Sequence, residues 1–241
     1  MTQLEIELQY LKEEVINMWN LVHSQLVKSM SAMINFDKDL AREVVQGEKR
    51  VNGLELKIDR DCENIFALLT PVAIDLRFVL AVLKINSNLE RIGDIAEGNA
   101  KYIIDADQSF REELLDATQA IVMFDKSISI LETTLKAFET EDTKLARSVF
   151  QEDEAIDTIN TDATNATIEY LKLHPEEIRQ ALYNLSIIRK LERIGDQSKN
   201  IAEEILFYIE AKVLKHIHKH QLYIVTCVPD TYHLTQIRKA A

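Results

Sequence analysis

The hexapeptide LERIGD occupies residues 89–94 and recurs unchanged at 191–196 in a chain of 241 residues. Whatever structure surrounds one copy must therefore be built twice. Both copies lie on apolar seams: Leu76, Leu80 and Leu83, spaced by four and three, lead to the first copy, where the seam steps one residue to the side through Ile85, Leu89, Ile92 and Ala96, and Ile188, Leu191, Ile201 and Ile205 flank the second. That period is helical. With only five Gly and three Pro in the chain, long helices joined by few loops are the expected build.

The same period runs through the rest of the chain. Leu4, Leu8, Leu11, Val15, Met18 and Val22, continued by Leu26, Met30 and Met33, predict a first helix. Leu40, Val44, Val51, Leu54, Ile58, Ile65 and Leu69 predict a second, starting near Asp37. Thr70-Pro71 reads as an N-cap followed by proline at the first helical position, opening a third helix that runs to about Ile104. After a loop DADQS at 105–109, Ser109 and Glu112 fit a capping box for a fourth, ending near Phe138. Leu145, Val149, Ile156, Ile159, Ala163, Ala166, Tyr170 and Leu173 make a fifth, and His174-Pro175 starts a sixth that reaches about Lys215. The expected fold is all-α: two tandem three-helix bundles at residues 1–107 and 108–216, with a tail at 217–241 outside the repeat.

Acidic residues track the seams. Glu90, Asp94 and Glu97 lie one residue to the side of the third helix's seam, and Glu192, Asp196, Asn200 and Glu203 do the same on the sixth. Glu48, Asn52, Glu55 and Asp59 accompany the second helix, as Asp153, Asp157 and Asn160 accompany the fifth. Facing helices then bring two acid stripes together in each half. Crowded, half-buried carboxylates repel one another, so either some keep their protons or cations sit among them. The bland reading makes them boundary residues on solvated faces; four stripes in matched positions favour the cation. Oxygen-only ligands suit Mg²⁺, Mn²⁺, Ca²⁺ or iron, whereas zinc more often brings His or Cys. The glycines Gly93 and Gly195 inside the motif point to close helix packing, clearance for a bound group, or both, since a mid-helix Gly costs about 1 kcal/mol against Ala. Arg91 and Arg193 read as charge compensation or surface ion pairs rather than as phosphate ligands.

Several function classes are disfavoured. A formal charge of −12 repels nucleic acid and anionic lipid unless metal or a local basic patch intervenes. No apolar run approaches the roughly 18 residues needed to span a bilayer, and the first residues do not read as a signal peptide, so a soluble cytoplasmic protein is expected. Cys62 and Cys227 lack metal-ligand spacing, and Cys62 reads as a small core residue. No His follows a Glu by three residues, which disfavours a di-iron oxidase, and no P-loop or nucleophile elbow is present.

The segments EKRVNGLELKID at 48–59, TPVAIDLRFVLAVLKINSNLERIGDIAEGNA at 70–100, EDEAIDTI at 152–159 and LSIIRKLERIGDQSKNIAEEILFYIEAK at 185–212 resemble the PhoU family of phosphate-signalling regulators. The resemblance spans about residues 4–216 and implies two three-helix bundles and a homodimer. It also implies metal ions, divalent or trivalent (iron, manganese, magnesium or zinc), held by paired acidic motifs. Those motifs fall on Glu48/Asn52 with Glu90/Asp94, and on Asp153/Asp157 with Glu192/Asp196/Asn200. Asn52 replaces the second acid of one pair, and Gly98 stands where the second repeat has Asn200. Ligand charge governs hard-cation affinity, so the second half is expected to bind metal more tightly.

By the same resemblance, the function is negative regulation of phosphate uptake and of the phosphate-starvation response. The protein would act in the cytoplasm, peripherally at the inner membrane face. It would link the ATPase component of a phosphate ABC transporter to a sensor histidine kinase. A metal-dependent phosphohydrolase and a metal-free helical scaffold are the alternatives. In the tail, His216, His218 and His220 fit either a transition-metal site or a basic helix terminus, and residues 222–228 fit a short strand with no partner strand recognisable in the sequence.

Overall fold

The computed structural model describes residues 1–213, 223–226 and 235–236. Three long helices, α1 (Gln3–Asn35), α2 (Lys38–Leu69) and α3 (Ala73–Asp105), pack on one another. A second trio repeats them: α5 (Ala120–Thr140), α6 (Thr143–Leu173) and α7 (Ile178–Glu210), preceded by the six-residue α4 (Glu112–Ala117). The two three-helix bundles join chiefly through α3 against α7, with α1 also touching α5.

The repeat extends to the helix caps. Asp37 Oδ1 accepts from the Asp39 and Leu40 amides, and Asp142 Oδ1 accepts from those of Lys144 and Leu145, so α2 and α6 start on the same aspartate cap. The α1 start carries a capping box between Thr2 and Glu5.

Four expected boundaries differ from the structure. Thr70 is not the cap of α3: it closes α2 in the left-handed region at φ 47° and cannot also take the extended cap conformation, which passes to Val72. Ser109 caps nothing, because α4 starts at Glu112 after Arg111 without a side-chain cap. The expected fourth helix is broken at Gln119, which sits at φ 55°. There the buried Thr118 hydroxyl donates to the Leu114 carbonyl and accepts from Asn184 of α7, closing α4 before α5 begins. Finally, α7 stops at Glu210 instead of Lys215: Ala211 turns left-handed at φ 56°. The chain then enters a short strand β1 (Lys212–Val213), paired antiparallel with β2 (Tyr223–Thr226), which pairs with β3 (Thr235–Gln236). The strand expected in 222–228 thus has partners of two residues each, too short to leave a period in the sequence. His216, His218 and His220 lie outside the described residues.

An aromatic cluster ties the bundles together. Trp19 of α1 is fully buried, stacks on Phe138 of α5 at 5.8 Å between ring centroids, and donates its indole N–H to the Leu131 carbonyl at 3.2 Å. Phe78 of α3 and Tyr208 of α7 complete the cluster, their rings 5.4 Å apart edge to face. At the other end, the linker is held by Glu177, whose buried carboxylate meets Arg111 and accepts from the Tyr170 hydroxyl. Cys62 is buried in the core. Replacing Trp19 by Ala is expected to cost about 3–5 kcal/mol, since it empties a fully buried site and removes the indole hydrogen bond to the Leu131 carbonyl. Urea unfolding curves of the two proteins measure it, and a loss below about 1 kcal/mol contradicts the role given to Trp19.

Candidate metal site at the repeated motif

Helix α2 carries Glu48 onto α3, and α6 carries Asp153 onto α7. Each carboxylate lies over the glycine of the repeated hexapeptide. A Cβ on Gly93 would stand 3.1 Å from Glu48 Oε2 and 3.1 Å from Val51 Cγ1; a Cβ on Gly195 would collide with Asp153 Oδ1. Of the two sequence readings of the glycines, close packing is the one seen here: a carboxylate of the neighbouring helix occupies the space a side chain would fill.

In the first half Glu48 is only 5% exposed and neither carboxylate oxygen has a hydrogen-bond partner. Burial, then the negative charges of Asp94, Glu97 and Glu90, push its carboxyl up to about 7, against a weak opposing effect of Lys101. Burial and the charges of Asp94 and Glu55 likewise raise Glu90, which Arg91 partly offsets. Glu55 is raised by burial and by Asp59 and Asp94. Glu48, Glu90, Asp94 and Glu97 therefore form one electrostatic group, with Glu55 at its margin, while Asn52 is exposed.

The second half holds Asp153, Asp157, Glu192 and Asp196 in the corresponding places. Burial, followed by Asp196, Asp157 and Asp153, raises Glu192. Here, however, the Lys199 ammonium bridges Asp153 Oδ2 at 2.5 Å and Asp196 Oδ1 at 2.9 Å. Burial still raises Asp153, but Lys199 opposes it. Asn200 does not extend this group: it is exposed and its amide donates to Asn88 Oδ1 of α3 at 3.3 Å. The pseudo-twofold counterpart of that crossing is Lys190 over Gly98, where a Cβ would come 2.5 Å from the ammonium. Gly98 is thus the small partner of a long side chain. Among the described residues, no three acidic, His or Cys side chains stand together as a ready ligand set.

A family model of the PhoU domain matches the chain twice, over residues 15–103 and 121–205. The chain belongs to the PhoU family. It is 34% identical over 215 residues to the phosphate-specific transport system accessory protein PhoU of Edwardsiella tarda, covering 89% of this chain and 88% of that protein. The crystal structure of PhoU from Pseudomonas aeruginosa superposes with a TM-score of 0.79 at 30% identity, over 87% of this chain and all of that one (100%). PhoU from Streptococcus pneumoniae, a phosphate transport system regulatory protein, gives 0.77 at 28% identity, over 89% and 100%.

Between α3 and α7 the PhoU fold leaves a cleft of about 460 Å³ that takes in Asp94 and Glu97 from the first acid group, with Arg91, Lys101, Lys190 and Arg193 around it. Both motif arginines sit in this one cleft. The residue that sequence reasoning missed is Lys199. Its signal was the alignment of the two repeats: in LERIGD register it stands where the first repeat has Glu97.

Two predictions follow from the geometry. In metal-free protein with chelator present, the Glu48 carboxyl titrates near 7 when folded and near 4.5 when unfolded. The folded state then binds the proton more tightly, so stability rises as pH falls from about 8 to about 5, by at most on the order of 3 kcal/mol. Glu48→Gln should flatten that slope in denaturation curves taken across the range; an unchanged slope places the titrating group elsewhere. Gly195→Ala should lose at least about 1 kcal/mol despite the better helix propensity of Ala, because Asp153 must move off Lys199. Combining it with Asp153→Ala should recover most of the loss, and additive losses in the double mutant contradict the contact.

Proposed function

We propose that this protein is a cytoplasmic negative regulator of phosphate uptake and of the phosphate-starvation response. In this reading it is a homodimeric adaptor between the ATPase of a phosphate ABC transporter and a sensor histidine kinase, and it carries metal at its acid-lined helix faces. The observation that carries the proposal is the double PhoU-domain match together with near full-length similarity to proteins named phosphate-specific transport system accessory proteins. No described helix is long and apolar enough to cross a membrane, so contact with a transporter would run through protein surfaces.

The donor chemistry supports metal at the first half. Glu48 brings two buried, unpartnered oxygens, and Glu90 and Asp94 bring charge from the facing helix. A divalent cation there would supply charge neutralisation and cross-link α2 to α3. The chain's own residues do the rest: Gly93 admits the carboxylate, and Val51 packs beside it. A phosphohydrolase reading would need turnover of a phosphate ester by metal-loaded protein, abolished in Glu192→Ala. A pure scaffold would need protein purified without chelator to carry no metal.

Deleting the gene should switch on phosphate-uptake genes in phosphate-replete cells; unchanged expression at high phosphate refutes the regulatory reading. Thermal melts in Mn²⁺, Fe²⁺, Zn²⁺ or Mg²⁺ should exceed those in chelator, because a ligand at a hundred times its dissociation constant adds about 2.7 kcal/mol when it binds only the native state. Identical midpoints in every buffer refute the metal.

A further inference from the structure

The seam between the bundles is nearly symmetric, and the cleft between α3 and α7 opens where the symmetry fails. In LERIGD register, Arg91 corresponds to Arg193, Asn88 to Lys190 and Gly98 to Asn200. On one side of the crossing, Asn200 donates to Asn88 and bridges the helices. On the other, Lys190 lies over Gly98 and a cleft of about 460 Å³ remains. Arg91, Lys190 and Arg193 line it. Among the described residues, none of these three cations enters a hydrogen bond or an ion pair. Neither motif arginine therefore makes a surface ion pair, although the charge of Arg91 does reach Glu90. Elsewhere on the same seam the cations are engaged: Lys84 pairs with Glu204, and Arg77 donates to the Tyr208 carbonyl.

We propose that this cleft binds an anion carrying several phosphoryl groups in a chain, held by Arg91 from α3 and by Lys190 and Arg193 from α7. A guanidinium donates in parallel to two oxygens of a phosphoryl group, and an ammonium adds a point charge. The place of the ammonium is built in: a side chain at residue 98 would displace Lys190, and a mid-helix glycine costs about 1 kcal/mol against Ala. The acids of the cleft make it selective. Glu97 is held by Lys101 at 2.6 Å, while Asp94 and Asp105 stay as free charges on the wall. A small monoanion gains little against them, whereas a phosphate chain engages all three cations directly. The volume also lies within the roughly 300–1,000 Å³ usual for small-molecule sites. Tyr102 lines the cleft with its ring 5.3 Å from that of Tyr183, a flat surface beside the cations. Inorganic oligophosphates and nucleoside triphosphates both carry the required chain. The inference rests on neither the metal nor the regulatory reading.

The experiment is isothermal titration calorimetry of the full-length protein with tripolyphosphate, at low salt and in chelator, so that no metal bridges the ligand to the acids. Saturable binding of one equivalent per chain is expected, weakening as NaCl is added. The double variant Arg91→Gln/Arg193→Gln should weaken it at least tenfold, and Lys190→Gln several-fold. Both arginines are exposed and Lys190 is half-buried, so circular dichroism should show the fold intact. Arg189→Gln, an exposed neighbour outside the cleft, should leave the affinity unchanged. A second arm uses ATP. An affinity no higher than that of tripolyphosphate assigns the site to the phosphate chain alone; a higher one, with the gain lost in Tyr102→Leu, assigns it to a nucleotide. No saturable binding, unchanged affinity in the arginine pair, an equal loss in Arg189→Gln, or orthophosphate bound as tightly as tripolyphosphate would each overturn the proposal.

Discussion

The structure depends on burying a carboxylate between two closely packed helices. An acid at that depth loses its water, and in a bundle of apolar seams little else is available to replace it. Two features make the arrangement tolerable. The repeated glycine brings α3 or α7 close to its partner helix at the expense of about 1 kcal/mol of helix propensity. The acid shares the space over the glycine with an apolar side chain of its own helix, Val51 in the first half and Ile156 in the second. The remainder of each bundle, with its aspartate-capped second helix, holds that crossing in register.

The pairing of helices was legible because it rests on periodicity over some thirty residues, where errors average out. Asp37 was legible as a cap because its side chain bonds its own neighbours. Helix ends set by the rest of the fold were not. Thr70 looks like a cap locally, but the reversal between α2 and α3 uses it as the left-handed stop. The α4–α5 break depends on Asn184, 66 residues away, satisfying the Thr118 hydroxyl. A local reading sees Ser109 and Glu112 and has no means of knowing that Arg111 is tied to Glu177.

The site divides along the same line. Glu48, Glu90 and Asp94, and likewise Asp153, Glu192 and Asp196, could be grouped from sequence because a four-residue step stays on one helix face. The two asparagines could not be ranked. Asn52 keeps the register of a ligand but is exposed, and Asn200 is turned toward Asn88 on the other bundle. Lys199 escaped because a lysine beside an acid stripe is usually a solvated neighbour. Only the position of α6 shows that its ammonium lies between helices.

The two acid groups are not isolated from each other. Helix α3 carries one and α7 the other, and these same helices form the main seam between the bundles. Lys84 of α3 pairs with the nearly buried Glu204 of α7 at 2.9 Å, and Asn88 meets Asn200 one turn further on. Asp94 and Glu97 share a cleft with Lys190 and Arg193 of α7. Charge gained or lost at Glu48 is therefore felt by acids that also face the other bundle's cations. Neutralising Asp94 and Glu97 would weaken their attraction for Lys190 and Arg193. The charge of the first-repeat acids thus bears on how tightly the two bundles are drawn together, whereas the Lys199 bridge ties Asp153 of α6 to Asp196 of α7 within the second bundle.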